Sequence, residues 1–396
     1  MIGDSRFVSG LGSLFDADSY RYHAVYLTYF AASNGLVSFR NAFFEDVGLT
    51  GSQMGLLGAL LVAGGLVAQP VWGVLADRFS ATRAVLLVGV AVSGLGVLLF
   101  PLAAHVAWTF GVLAVATLVV SVFRAPIVPV ANSMVLSQGV EYGHVRAVGS
   151  VAFGVGSLLL GWIVAGFGLD WVFYVYALGM GFVFAAVWSL SNPRADLSPD
   201  LRRDAIRLVT DRGFLLLLLV ASLVAGSYSA GDAFLSVYLR DLTGGDATTG
   251  LAWLVKTVAE AVVFLALAGA DLDNRAVLAG GAGATAAGYL VLGVTTAVPL
   301  AVGIQVLSGA GVALFLFAAV HMTHRYAPTA LAATGQALLT SVGMGLGRIV
   351  GQLGSGWAVS AAGVRALYLV LAGTAAIATL ASLGFQPRLA ALLNLR

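Results

Sequence analysis

Residues 251–270 read LAWLVKTVAEAVVFLALAGA, an apolar run with two opposite charges inside it. A helix that crosses a bilayer needs about 20 mostly apolar residues, and this run has that length. Lys256, the only lysine of the chain, and Glu260 are spaced i and i+4, so a helix places both side chains on one face. Charged residues at such depth usually face a water-filled cavity and mark a substrate or ion path. The run therefore predicts a membrane-spanning helix that lines a cavity; the alternative is an ion pair that only locks two helices together.

The composition of the whole chain is that of an integral membrane protein. Of 396 residues, 60% are hydrophobic and only 10% are charged, against about 25% charged residues in soluble domains. The net charge of +2 gives no indication of a nucleic-acid partner. The absence of cysteine excludes disulfides, thiolate metal sites and cysteine nucleophiles. No cofactor and no metal site are predicted.

Apolar runs that break at charges, glycine and proline predict an all-α membrane protein with about twelve spans. Their approximate limits are 22–45, 52–76, 84–104, 107–136, 146–167, 170–190, 213–239, 248–269, 275–296, 299–324, 330–358 and 364–386. A polar segment at 191–212 separates six spans from six. The predicted organisation is a tail at 1–21, a six-helix bundle at 22–190, the linker at 191–212, a second bundle at 213–386 and a tail at 387–396.

The distribution of arginine predicts the orientation in the membrane. With the N-terminus inside, nearly all arginines outside the spans fall on the cytoplasmic side, and only Arg240 and Arg365 fall on the opposite side. Cytoplasmic loops of membrane proteins carry an excess of basic residues. Both termini and the linker are therefore predicted to be cytoplasmic, in a plasma (inner) membrane.

The two halves of the sequence resemble each other. A shift of 195 residues superposes Gly156 on Gly351, Gly161 on Gly356, Trp162 on Trp357 and Gly168 on Gly363. Parallel repeats with a binding site near the midplane are a plan of secondary transporters. The repeat therefore favours two pseudo-symmetric bundles around a central polar cavity.

The loop after the second span carries the sequence GVLADRFSATR at residues 73–83. It resembles the loop signature of the major facilitator superfamily, although residues 80–82 depart from it. The resemblance implies the major facilitator fold and a gating role for the four matching residues, Gly73, Asp77, Arg78 and Arg83. The alternative is ordinary charge at a helix end.

A second motif, EYGHVRAVGSVAF at residues 141–153, resembles the lactose permease and phenylpropionate permease branch of proton symporters. The resemblance implies that Arg146 binds the substrate and that Phe153 stacks against it. Tyr228 and Asp232 match a pair in that branch whose aspartate forms an intramembrane ion pair. Glu260 falls where the branch has a glutamate for substrate recognition.

The departures from lactose permease are as informative. Its span 4 glutamate has no counterpart in RAPIVPVAN at residues 124–132, which offers Arg124 and Asn132 instead. Its proton-carrying residues of span 10 align with Ser308 and Gly311, so lactose specificity is not expected. Lys256, Arg124 and Arg348 are the candidate partners of the buried acids.

Together these features predict a monomeric secondary transporter that is not an enzyme. We expect proton-coupled uptake of a small polar solute by alternating access: a sugar, a nucleoside, or an aromatic or sugar acid. The spans contain more basic than acidic residues, and this surplus favours a substrate that carries a carboxylate. An efflux antiporter or a facilitated-diffusion uniporter remains the alternative, although span 5 lacks the proline of the efflux motif.

Overall fold

The computed structural model describes residues 20–79, 81–137, 142–190, 208, 210–243, 245–267, 272–327 and 332–384. The predicted terminal tails and most of the predicted linker lie outside these ranges. The elements within them are all helical. In chain order they are α1 (Tyr20–Ser38), α2 (Arg40–Asp46), α3 (Gly51–Arg78), α4 (Thr82–Gly96), α5 (Leu99–Ala103), α6 (Thr109–Arg124), α7 (Ile127–Ser137), α8 (Tyr142–Phe167), α9 (Trp171–Trp188), α10 (Arg212–Thr243), α11 (Ala247–Leu267), α12 (Asn274–Val294), α13 (Val298–Gly303), α14 (Gln305–Tyr326), α15 (Ala332–Leu338), a π-helix (Leu339–Leu346) and α16 (Gly347–Leu383).

Ten helical segments of the described chain are long and apolar enough to cross a membrane. One of them, Thr334–Leu383, has 50 residues. At about 1.5 Å per residue it is more than twice as long as the roughly 30 Å hydrocarbon core, so it must form two spans. The predicted number of twelve is consistent with these ten when that segment is counted as two and α1 with α2 is added as one.

The described helices divide into two compact units. The first comprises residues 1–36 and 64–198, and the second comprises residues 37–63 and 199–396. In the first unit α4 packs against both α6 and α9, and α1 packs against α8 and α9. In the second unit α10 and α12 pack against α16, and α14 packs against α11 and α12. The predicted boundaries of the two six-helix bundles stay a prediction.

Two glycines related by the sequence repeat have the same unusual backbone conformation. Gly168, after α8, has a φ of 98°, and Gly363, inside α16, has a φ of 82°. L-residues with a side chain rarely adopt positive φ, so glycine is the residue suited to both turns. The turn at Gly363 divides the long segment into its two spans. The repeat is thus visible in the backbone as well as in the sequence.

Small residues let the helices of each unit approach closely. A Cβ atom on Gly156 would lie 3.0 Å from the carbonyl oxygen of Ala31 in α1. Gly351, the repeat partner of Gly156, packs against the backbone of Gly226 in α10. A Cβ atom on Gly351 would lie only 2.4 Å from the Gly226 carbonyl oxygen. Close backbone packing at small residues is the usual way in which membrane helices associate. It fixes α8 and α16, which carry predicted site residues, against the first span of each half.

Candidate substrate and coupling site

The second unit contains a buried ion pair between two membrane-spanning helices. The Lys256 ammonium group on α11 donates a hydrogen bond to the Asp232 carboxylate on α10. The lysine side chain is only 3% exposed and the aspartate 20%. The Lys256 ammonium also lies 4.9 Å from the ring centroid of Trp253. Lys256 therefore takes its partner from another helix, rather than Glu260 on its own helix.

Tyrosines surround the acidic partner of this pair. Tyr289 on α12 and Tyr368 on α16 are buried and close enough to Asp232 to interact with it electrostatically. Their rings lie 5.6 Å apart, and the Tyr368 hydroxyl donates to the carbonyl oxygen of Gly231, 2.8 Å away. A buried carboxylate with a cation and polar neighbours is compensated far better than an isolated one. The sequence motif placed Tyr228 and Asp232 on one helix but did not indicate these two tyrosines.

A second cation of this unit is held by a tyrosine hydroxyl. Arg348 lies just after the π-helix, and its Nε donates to the Tyr228 hydroxyl over 3.0 Å. A second nitrogen of the guanidinium donates to the same oxygen. One turn along α16, the Gln352 amide donates to the carbonyl oxygen of Ser229 over 2.8 Å. π-helical turns often occur at functional sites, so this position supports a role for Arg348 beyond packing.

Glu260 lies one turn further along α11 than Lys256 and is partly buried. The helix packs tightly here, because a Cβ on Gly309 of α14 would lie 2.1 Å from the carbonyl oxygen of Lys256 and 3.2 Å from the Glu260 nitrogen. The predicted role of Glu260 in substrate recognition stays a prediction.

An aromatic stripe on α1 organises the first unit. Tyr26, Tyr29 and Phe30 are spaced i, i+3 and i+4 and therefore share one face of the helix. The Tyr26 hydroxyl donates to the Asn132 side-chain oxygen. The Tyr29 and Phe30 rings meet edge to face, with centroids 5.3 Å apart. This stripe brings together residues predicted from two other spans.

Two predicted arginines each lie over an aromatic ring of this stripe. The Arg124 guanidinium is 5.8 Å from the centroid of Tyr29 and the Arg146 guanidinium is 4.7 Å from that of Phe30. Arg146 also donates to the Ser150 hydroxyl over 3.3 Å. Gly149 leaves the space for Phe30, whose ring carbon would be 2.7 Å from a Cβ there. Cation–π contacts of this kind help to hold a guanidinium in place.

Phe153, predicted to stack against the substrate, is partly buried on α8 and has contacts with its neighbours. The sequence reasoning missed the stripe itself. Its signal was present in the run YRYHAVYLTYF at residues 20–30, which is unusually rich in tyrosine for a membrane span.

The predicted gating motif spans the end of α3 and the start of α4. Arg83 donates to the carbonyl oxygen of Trp188 and lies 5.0 Å from its ring centroid, so it joins α4 to α9. Arg78 is 5.9 Å from the centroid of the neighbouring Phe79. Gly73 has open space around its Cβ position. The Asp77 side chain lies outside what the structure describes, so the gating role stays a prediction.

A second charged cluster lies at the end of the second unit that is predicted to be extracellular. The Arg240 guanidinium of α10 forms two ion pairs. One nitrogen lies 3.0 Å from an Asp46 carboxylate oxygen, and another lies 3.5 Å from an Asp246 carboxylate oxygen. It also donates to the Ala42 carbonyl oxygen over 3.1 Å. Burial raises the pKa of the Asp246 carboxyl group, and the Arg240 guanidinium opposes that rise. The cluster joins α2 to the loop between α10 and α11.

The helices are apolar and long enough to span a membrane, and they carry charges that are paired or bonded to tyrosine. The two halves of the chain are also related by a repeat. Together these features define a multi-pass membrane protein of the secondary-transporter class. The model of the MFS_1 like family matches residues 19–370. The chain therefore belongs to that family and to the major facilitator superfamily of transporters.

Relatives with similar sequences cover most of the chain. Maltose permease of Geobacillus stearothermophilus is 28% identical over 335 residues, which are 82% of this chain and 83% of the permease. A protein named "Probable 3-phenylpropionic acid transporter" in Escherichia coli is 27% identical over 298 residues, covering 71% of this chain and 76% of that protein.

Solved structures share the fold at low sequence identity. The crystal structure of the nucleoside transporter NupG matches with a TM-score of 0.79 at 15% identity, covering 94% of this chain and 100% of NupG. The crystal structure of the human organic anion transporter MFSD10 matches with a TM-score of 0.62, also at 15% identity, covering 93% of this chain and all of that one. At this identity the likeness concerns the fold alone.

Proposed function

We propose that this protein takes up a small polar organic solute together with protons, by alternating access. The observation that carries the proposal is the buried Lys256–Asp232 pair, with Glu260 one turn away, inside membrane-spanning helices. Ionisable groups at that depth are expensive and are usually kept for substrate or ion movement. A sugar, a nucleoside and an aromatic or sugar acid all fit the polar and aromatic side chains described above.

The names of the relatives support a small solute rather than a macromolecule. One is called a maltose permease and another a 3-phenylpropionic acid transporter. We further propose that the protein acts as a monomer in the plasma membrane with both termini in the cytoplasm, and that it catalyses no covalent chemistry. The arginine bias of the loops supports that orientation.

Uptake into proteoliposomes of the full chain tests the coupling. Radiolabelled maltose, uridine and 3-phenylpropionate are offered with an inward proton gradient, with the gradient collapsed by a protonophore, and with protein-free liposomes. Symport predicts accumulation of one of them above the external concentration only with the gradient. Equilibration that ignores the gradient would instead identify a uniporter, and proton-driven extrusion would identify an antiporter.

A further inference from the structure

Arg124 is a cation inside the first unit for which the described residues supply no carboxylate. It stands at the end of α6, and its guanidinium lies over the Tyr29 ring. Its Nε atom is buried and has no hydrogen-bond partner among the described residues. A buried charge without a counter-charge costs several kcal/mol, so an anion from outside the chain would be bound there favourably.

A tyrosine adds a second donor to this position. Tyr176 of α9 is fully buried and close enough to Arg124 to interact with it electrostatically. Its hydroxyl lies near Ser93, but in the described part of the chain it has no hydrogen bond of good geometry. Buried hydroxyl groups are nearly always bonded, so this one can donate to a further acceptor.

The two units differ in their balance of charge. In the second unit, Lys256 pairs with Asp232, Glu260 lies one turn further along α11, and Arg348 donates to the Tyr228 hydroxyl. In the first unit, the only described acidic side chain is Asp170, at the very start of α9. Among the described residues, Arg124 is therefore a cation without an acidic partner, and its Nε is also buried without a hydrogen-bond partner.

We propose that Arg124, Tyr29 and Tyr176 bind the carboxylate group of an organic acid, which makes organic carboxylates the substrate class of the transporter proposed above. A guanidinium offers two parallel donors that match the two oxygens of a carboxylate. The rings of Tyr26, Tyr29 and Phe30 pack together beside the cation and line a small cavity. Aromatic side chains of this kind suit the carbon body of the acid, and an aromatic ring in particular.

Thermal unfolding of the purified full-length protein tests the site without requiring transport. The probes are 3-phenylpropionate, benzoate and gluconate, each beside its primary amide at equal concentration. The amides keep the size and lose the charge. At least one acid is expected to raise the Tm in a saturable way while its amide does not. Equal shifts by acid and amide, or no shift by any acid, would overturn the inference.

Three variants locate the effect. Arg124→Gln should weaken binding of the acid by about 10- to 100-fold, as expected for the loss of charge-assisted hydrogen bonds. Without ligand, it should melt no lower than the wild type, because it removes an uncompensated charge. Tyr176→Phe should weaken binding of the acid several-fold. It serves as the second test if Arg124→Gln does not fold. Arg325→Gln, an exposed arginine at the end of α14, is the matched control and should bind as the wild type.

Two further outcomes would contradict the proposal. If chloride or sulfate gives the same saturable shift as the acids, the position holds an inorganic anion. If Arg348→Gln abolishes the shift and Arg124→Gln does not, the anion site belongs to the second unit. Either result leaves the proposed symport intact whenever a neutral solute still accumulates with the proton gradient, so the two proposals fail separately.

Discussion

The ion pair between Lys256 and Asp232 shows how a partner is chosen when the sequence offers several. Spacing alone made Glu260 an equally close candidate, since it lies one turn from Lys256 on the same helix. The structure joins Lys256 to α10 instead, because the α10–α11 contact brings Asp232 to the ammonium group. Residue spacing fixes the face of a helix but does not fix which neighbour faces it.

Replacing Lys256 by Gln should leave the Asp232 carboxylate buried without its cation. Breaking a buried pair from one side costs about 3–5 kcal/mol, so the variant should melt well below the wild type in detergent. The double variant with Asp232→Asn should recover most of that loss, because no charge remains unpaired. A double variant no more stable than Lys256→Gln would show that the two side chains do not stabilise each other.

Replacing Glu260 by Gln should separate folding from coupling. The variant keeps the shape of the side chain and loses its charge, so we expect a protein that melts as the wild type but no longer accumulates solute against a gradient. The measurement is proteoliposome uptake beside a melting curve. Uptake at the wild-type level would reduce Glu260 to a structural role.

At the scale of helices, the sequence predicted the apolar runs well and the breaks within them poorly. The predicted fourth span at 107–136 is divided into α6 and α7 around Ala125 and Pro126, because proline cannot continue a helix without losing a hydrogen bond. The aromatic stripe of α1 was missed for another reason. Its partners come from spans far away in sequence, and no periodicity within one helix reveals them.

Gly356 provides a test of the close contact between α3 and α16. A Cβ there would lie 2.5 Å from the Gly51 carbonyl oxygen and 2.8 Å from the Gly55 Cα, both backbone atoms that cannot move aside locally. Gly356→Leu should therefore destabilise the protein by about 1–3 kcal/mol. Gly354→Leu, two residues away with open space at its Cβ position, is the control. Equal melting temperatures of the two variants would argue against this contact.

The ion pair between Arg240 and Asp246 should make the stability of the protein depend on pH. Because burial raises the pKa of Asp246, that carboxyl group ionises at a higher pH than usual, and Arg240 compensates the resulting charge. In Arg240→Gln the ionised carboxylate loses its cation. The loss of stability should thus be smallest at the acid end of a series from pH 4 to 8, where more of the carboxyl group is protonated, and should grow as the pH rises. A difference in Tm from the wild type that is constant over this range would contradict the compensation.

For the molecule as a whole, the fold follows from features that the sequence shows directly. Span length, the repeat and the loop signature each point to the major facilitator architecture, and the family match agrees with them. The solute does not follow in the same way, because we propose that it depends on a few side chains such as Arg124, whose neighbours come from several spans. Sequence patterns therefore predict the class of transporter more firmly than its substrate.

The conformational cycle is also a property of the whole molecule, and Asp77 at the end of α3 is the residue through which we expect to perturb it. The residue lies outside the polar and aromatic clusters that we assign to the solute, so Asp77→Asn should leave solute affinity unchanged. We predict that the Asp77 charge acts as a gate, so its loss should slow the cycle, by about 10-fold if roughly 1.4 kcal/mol of barrier is added. Binding is measured by thermal shift and turnover by exchange of labelled solute across proteoliposomes. A large loss of affinity with normal exchange would place Asp77 in solute binding and refute its role as a gate.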